Sequence, residues 1–362
     1  MLSCLRIFHI TLATAALSIF MMGCGAKRQG ETASPEKNEE RPPVKAVDFD
    51  RQLDDYEPGK SRYNFYFTYK LIHPWWDAVA LGVEEAVRQF EESSGVSIEY
   101  DYIGFDEVSP GLQAKRIEEA AKSGEYDVIA VDVADIGIVS PAIAKAVGAG
   151  QKVMTFSTSD AGDGCPRTAY VGNTHNERDG EELARALCEK LGGKGKVALL
   201  LGTKGVPCHE ERAKGARKAI SEYPDMEIVA ESYDDDSKEA AQDFAEKTME
   251  AHGDLAGIIC CDMNNPVGAA RAAIKMGRTG DVLIVGMDHD KEALRYLKNG
   301  IIYALAVQDC YSIGFDTVQV AVKIADGLQP GSAYPEKTDE RTTIIFQDDA
   351  KEILEEIYGE SR

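Results

Sequence analysis

Tyr63-Asn64-Phe65-Tyr66-Phe67-Thr68-Tyr69 is followed by His73-Pro74-Trp75-Trp76 and then by Asp77-Ala78-Val79-Ala80-Leu81-Gly82-Val83-Glu84-Glu85-Ala86-Val87-Arg88-Gln89-Phe90. The first run is rich in aromatic residues and reads as a strand, and the last carries apolar residues at helical spacing. The two tryptophans of the whole chain therefore stand side by side on a β-to-α turn. In open parallel α/β sheets such turns, at the carboxyl ends of the strands, are where ligands bind. A flat indole suits the C–H face of a sugar ring or another planar apolar surface, and its N–H can reach a hydroxyl. The competing reading is that both rings simply pack in a core.

Working outward, strands and helices alternate. Ser97–Tyr102, Tyr126–Asp132, Lys152–Ser157 and Ala169–Gly172 read as strands, with helices around Pro110–Ser123 and Ser140–Ala149 between them. A second series follows, with strands at Gly195–Leu201, Glu227–Ser232, Leu255–Cys261, Val282–Gly286 and Ile302–Gln308. Its helices are Arg178–Leu191, Glu210–Glu222, Ser237–Ala251, Pro266–Met276 and Lys291–Asn299. Repeated units of this length give parallel sheets with right-handed crossovers. The expected fold class is α/β, with two doubly wound parallel-sheet lobes.

Ahead of this body, Arg6 precedes an apolar run from Ile7 to Met22 that ends in Gly23-Cys24. That is the pattern of a signal peptide over 1–23, too short for a comfortable membrane span. Gly23-Cys24 resembles the bacterial lipobox, which makes Cys24 the expected lipidation site and places the protein in the periplasm or at the cell surface, anchored by lipid. Residues 24–61 are polar, charged and without periodicity, and read as a disordered tether. The formal charge of −22 excludes nucleic acid as a partner, because binding phosphates needs a basic face.

Beyond Cys4 and Cys24 the cysteines are Cys165, Cys188, Cys208, Cys260, Cys261 and Cys310, an even number that permits disulfides in an exported chain. Cys260-Cys261 falls in an apolar strand and Cys188 in a helix, where buried free thiols are expected, whereas Cys165 and Cys208 both fall in predicted loops and form the first pair to test. No C-x-x-C pair occurs, so neither a zinc site nor any other metal site or cofactor is expected. Gly192-Gly193-Lys194-Gly195 precedes a strand, the wrong context for a phosphate loop. Asp234-Asp235-Asp236 lacks the glycine and distal glutamate of a calcium loop.

Pro74-Trp75-Trp76, Val133-Ala134-Asp135, Arg167-Thr168-Ala169-Tyr170-Val171-Gly172, Glu211-Arg212-Ala213-Lys214-Gly215, Gly268-Ala269-Ala270-Arg271, Val285-Gly286-Met287-Asp288, and Gln308 before Gly314 occur in a fixed order. Together they resemble the type I periplasmic solute-binding proteins of the ribose-binding kind, the substrate-binding components of bacterial sugar ABC transporters. The resemblance implies a three-crossing hinge near 172–174, 306–308 and 343–346. Lobe one would hold 62–172 plus 308–342, and lobe two 173–307 plus 343–362. It further implies a non-enzymatic monomer that binds a monosaccharide or related polyol between the lobes and presents it to an ABC transporter permease. Trp75, Trp76, Arg167, Arg212, Asp262, Asp288 and Gln308 match the family's ligand positions, with Lys70, His73 and Asp160 as weaker candidates. A sensing module that feeds a membrane histidine kinase or chemoreceptor is the alternative, and an enzyme on the same fold a more remote one. A transcription repressor fails, since an export leader stands where a helix-turn-helix should be.

Overall fold

A computed structural model describes residues 51–162 and 164–359. The expected signal peptide, Cys24 and most of the tether lie outside the described residues. The first lobe is built from β1 (Arg62–Thr68), α1 (Trp75–Ser94), β2 (Ser97–Ile103), α2 (Pro110–Ser123), β3 (Val128–Val131), α3 (Ile136–Gly148), β4 (Val153–Ser157) and β5 (Tyr170–Gly172). The second takes α4 (Asn176–Lys190), β6 (Lys194–Leu201), α5 (Pro207–Ser221), β7 (Asp225–Tyr233), α6 (Lys238–Ala251), β8 (Leu255–Cys260), α7 (Asn265–Lys275), β9 (Leu283–Met287), α8 (Lys291–Lys298) and β10 (Ala304–Gln308). The chain then returns to lobe one for α9 (Cys310–Ala325) and β11 (Lys337–Asp339), and ends in lobe two with β12 (Thr342–Ile345) and α10 (Ala350–Tyr358).

Among the described residues the two sheets run in the orders β11-β5-β4-β3-β1-β2 and β12-β10-β9-β8-β6-β7. All pairings are parallel except β10 with β12, an antiparallel edge pairing on the two otherwise parallel sheets that were expected. The reason is local. Strand β10 runs up to the hinge at Gln308, whereas β12 leaves the hinge at Thr342, separated by two residues from the end of β11, so the two lie side by side in opposite directions. The third crossing thus falls at 340–341, a little ahead of the expected position.

The inner strands β3, β4 and β10 are buried on both faces, as parallel sheets between helical layers require, whereas the edge strands β2, β7 and β11 keep exposed residues. Tyr63, Phe65 and Phe67 of β1 enter one core layer with Phe90 and Phe315, while Tyr66 enters the opposite layer with Ile117, Ile129 and Ile143. Lobe two repeats the scheme, with Ala198 and Leu200 on one face and Val197, Leu199 and Leu201 on the other. Helix α3 starts before the predicted Ser140 because the Asp135 carboxylate accepts the Ile138 N–H at 2.9 Å and caps it there.

Two pairs of helices meet through reciprocal glycines. A β-carbon added to Gly314 of α9 would strike the Val79 carbonyl oxygen of α1, and one added to Gly82 of α1 would strike the Tyr311 carbonyl oxygen of α9. In lobe two, Gly215 of α5 faces the Glu177 carbonyl and Gly180 of α4 faces the Arg212 carbonyl. Because the obstacle is backbone, no rotamer change relieves it. Gly314→Ala is expected to destabilise lobe one by about 3 kcal/mol through forced helix separation, read as a lowered midpoint in urea unfolding.

Residues 51–60, expected to be part of the disordered tether, lie against lobe one. Leu53 and Tyr56 pack on its core, the Tyr56 hydroxyl donates to Asp326 at 2.8 Å, Arg51 pairs with Asp316, and Asp54 pairs with Lys323. Two apolar anchors interleaved with charges too sparse to show periodicity are what made this stretch read as disordered. The pairing of Cys165 with Cys208 is not formed, while Cys188, Cys260 and Cys261 are the buried free thiols expected, and Cys310 is free as well. Cys165 packs against the core of lobe one, whereas Cys208 is buried in the first turn of α5 in lobe two.

A candidate ligand cleft between the lobes

The strand order reverses between β1 and β3 in lobe one and between β6 and β8 in lobe two. These are the switch points at which adjacent loops diverge and leave a crevice. One cavity is lined from lobe one by Lys70, Leu71, His73, Trp75, Trp76 and Thr158, and from lobe two by Cys208, His209, Arg212, Asp236, Asp262, Met263 and Asp288, with Gln308 at the hinge. Every lobe-two group follows the carboxyl end of a strand.

The aromatic wall is made by a relay of rings. Trp76 stacks on Tyr69 with centroids 4.5 Å apart, meets Trp75 edge-on at 4.7 Å and Phe156 at 5.8 Å, and is only 3 % exposed. Lys70 Nζ sits 5.6 Å from the Trp76 ring and 3.5 Å from Asp132. Burial works against the Lys70 charge, but Asp132 outweighs it and the ammonium stays protonated beyond the ordinary lysine range.

Trp75 turns the other way. Its Nε1–H donates to Asp288 Oδ1 across the cleft at 3.1 Å, and His73 Nε2 meets Asn264 Oδ1 at 3.3 Å. These bonds bridge the two lobes directly. Asp288 also accepts from Gln308 Nε2 at 2.5 Å, and it holds a left-handed backbone (φ 70°) that places its carboxylate over the cavity. Gln308 Oε1 accepts from Asn173 Nδ2 at 3.3 Å, and the same Asn173 amide reaches Thr342 Oγ1 at 3.0 Å. Asn173, Gln308 and Thr342 each flank a different crossing, so a chain of hydrogen bonds runs from Asp288 to the whole hinge.

Arg212 is 2 % exposed. Its Nη1 donates to the Cys261 carbonyl at 3.1 Å, while Nε and Nη2 have no hydrogen-bond partner. Asp262 is equally buried, with Oδ2 unpartnered. Buried charged atoms without partners carry a large desolvation cost. Their concentration on one wall marks where a polar ligand fits.

Of the residues singled out in the sequence, Trp75, Trp76, Arg212, Asp262, Asp288, Gln308, Lys70 and His73 meet at this cavity. Arg167 and Asp160 do not reach it. They bind each other, Arg167 Nε to Asp160 Oδ1 at 2.6 Å and Nη2 to Oδ2 at 2.5 Å, and brace the loop between β4 and β5. Asp160 lines a neighbouring cavity together with Asn173, Asn176, Glu211 and Lys337. Thr158, Cys208, His209 and Asp236 escaped the sequence reading as cleft residues; Thr158 and Asp236 lie within three residues of the carboxyl ends of β4 and β7, and Cys208 and His209 lie in the first turn of the helix that follows β6. Burial works against a Cys208 thiolate, yet His209, Lys70 and Arg212 outweigh it and hold the thiol well below its ordinary range.

Residues 65–329 match the model of the periplasmic binding protein domain. The chain is 25 % identical over 276 residues to a D-allose-binding periplasmic protein of Escherichia coli (strain K12), which covers 73 % of this chain and 84 % of that one. It is similar in structure to a glucose-galactose binding protein from Geobacillus stearothermophilus, with TM-score 0.72 and 25 % identity over 80 % of this chain and 99 % of that one. It is also similar to a solute-binding protein of an ABC transporter from Actinobacillus succinogenes solved with bound D-allose, with TM-score 0.71, 25 % identity and the same coverage. Two switch-point lobes, three crossings and a buried polar cleft agree with that match over most of the chain: the protein belongs to the periplasmic binding protein family.

Proposed function

We propose that this protein binds a small sugar or related polyol between its lobes and hands it to the permease of an ABC importer without transforming it. The observation that carries this reading is the pairing of an aromatic wall with unpartnered buried charges, Arg212 Nε and Nη2 and Asp262 Oδ2. A sugar ring offers apolar C–H faces to the tryptophans and a rim of hydroxyls, each both donor and acceptor, to an arginine and carboxylates. Trp75, Trp76, Arg212, Asp262, Asp288 and Gln308 are the proposed contacts, with Lys70 and His73 beside them. The relatives named for D-allose and for glucose and galactose support the ligand class.

The lobes are bridged by the Trp75–Asp288 and His73–Asn264 contacts, so entry and exit of the ligand both require the hinge to open. We place the working location outside the cytoplasm, with Cys24 carrying lipid and the following polar segment as the tether. Among the described residues no helix is long and apolar enough to cross a membrane. Because both tryptophans of the chain line the cleft, their fluorescence is a direct reporter. Titration with D-allose, ribose, glucose, galactose, arabinose and xylitol is expected to give a saturable change for at least one, with the sugar recovered unchanged. Folded protein that responds to none of them, by fluorescence or calorimetry, overturns the reading.

A further inference from the structure

The lobe-two wall holds a constellation that sugar binding does not by itself explain. His209, Asp236 and Asp262 follow β6, β7 and β8, which are neighbours in the sheet, and one ligand atom from each lies within 4.8 Å of the others. In each residue one polar atom is already held. His209 Nδ1 faces the Thr203 carbonyl at 3.4 Å, and Asp236 Oδ2 accepts from Thr203 Oγ1 at 2.5 Å. Asp262 Oδ1 accepts from the backbone N–H groups of Asn264 at 2.8 Å and Asn265 at 2.7 Å.

What remains is one lone-pair atom per residue. His209 Nε2 stands 3.8 Å from Asp236 Oδ1, and Asp262 Oδ2 has no partner although the residue is 98 % buried. Gly202 keeps the space open, since a β-carbon there would meet Asp262 Oδ2 and the His209 ring. Fixing the second atom of every ligand is how proteins orient metal ligands and set the histidine tautomer. Ligand atoms about 2.1 Å from a tetrahedral zinc ion stand about 3.5 Å apart, close to the 3.8 Å between His209 Nε2 and Asp236 Oδ1.

The charge balance points the same way. Asp234 adds a third carboxylate, with Oδ2 accepting from Asn265 Nδ2 at 2.5 Å. Lys70 is engaged with Asp132 and Arg212 with the Cys261 carbonyl, so neither offsets this cluster by direct contact.

We propose that His209, Asp236 and Asp262 form a three-ligand site for a divalent transition metal such as Zn²⁺ or Mn²⁺. One nitrogen and two carboxylate oxygens suit such ions, whereas calcium and magnesium prefer all-oxygen shells. The three residues also line the cavity, so the open coordination positions face it and are available to water or to vicinal hydroxyls. The ion site itself does not depend on the identity of the organic ligand.

The test uses the whole mature protein, stripped with a chelator and titrated in the absence of sugar, with Zn²⁺ by calorimetry and Mn²⁺ by electron paramagnetic resonance. A single equivalent is expected to bind, and Asp262→Asn and His209→Gln should each weaken it by more than about 10-fold while unfolding cooperatively. Crystals of the unaltered protein soaked in Zn²⁺ give a readout independent of any variant: anomalous density should lie about 2.0–2.2 Å from all three side chains. Absence of stoichiometric binding, undiminished binding in both variants, or density elsewhere overturns the proposal. Sugar titration of the stripped protein separates the two readings, because a protein that takes sugar but no metal retains the first and loses the second.

Discussion

Asp288→Ala is expected to lower sugar affinity by about 100-fold or more, with the unfolding midpoint little changed. The carboxylate accepts the Trp75 indole N–H from lobe one and the Gln308 amide from the hinge. Removing it leaves both donors buried without an acceptor and takes a charged partner from the ligand. At about 1.5–3 kcal/mol for each hydrogen bond to a charged group, losing two such bonds amounts to 3 kcal/mol or more. Part of the loss is in closure itself, because Gln308 links through Asn173 to Thr342 and thus to each crossing. Asp288→Asn separates the contributions. It keeps an acceptor oxygen and tolerates the left-handed backbone, so it should lose only about 10-fold. Calorimetric titration of both variants with the best sugar, alongside thermal melts, checks this. Wild-type affinity in Asp288→Ala would remove Asp288 from the site.

The residues legible in the sequence share a physical property: they stand where periodicity ends. Trp75 and Trp76 follow an aromatic strand, and Asp262, Asp288 and Gln308 close apolar ones, so a change of pattern marks the switch-point crevice. The glycines in the resemblance motifs have a structural explanation, since Gly215, Gly268 and Gly314 each face another helix too closely for a β-carbon. His209 and Asp236 lacked any such mark. Cys208-His209 lies in the first turn of a helix after a five-residue loop, and Asp234-Asp235-Asp236 looks like a solvated acidic turn. Only the sheet order, which places β6 between β7 and β8, brings them together. The Arg167–Asp160 pair was hidden for a related reason. An irregular loop has no period, so the sequence gives no sign that Arg167 doubles back on a carboxylate seven residues earlier.

The two tryptophans should part company on substitution. Trp76→Ala removes a ring held on three sides by Tyr69, Phe156 and Trp75 and leaves a large void in lobe one. Its cost is expected at about 3–5 kcal/mol of stability, within the range for deleting a buried aromatic side chain. Trp75 shares the edge of that cluster, but its indole N–H is committed to Asp288 in the other lobe. Trp75→Phe keeps most of the ring and deletes only the donor. It should retain nearly all stability while weakening sugar binding by about 10-fold, the worth of one hydrogen bond to a charged acceptor. Urea unfolding paired with calorimetric titration distinguishes the roles. Equal losses of stability in Trp76→Ala and Trp75→Phe would mean that both rings are packing residues, and that lobe closure does not depend on the bond between Trp75 and Asp288.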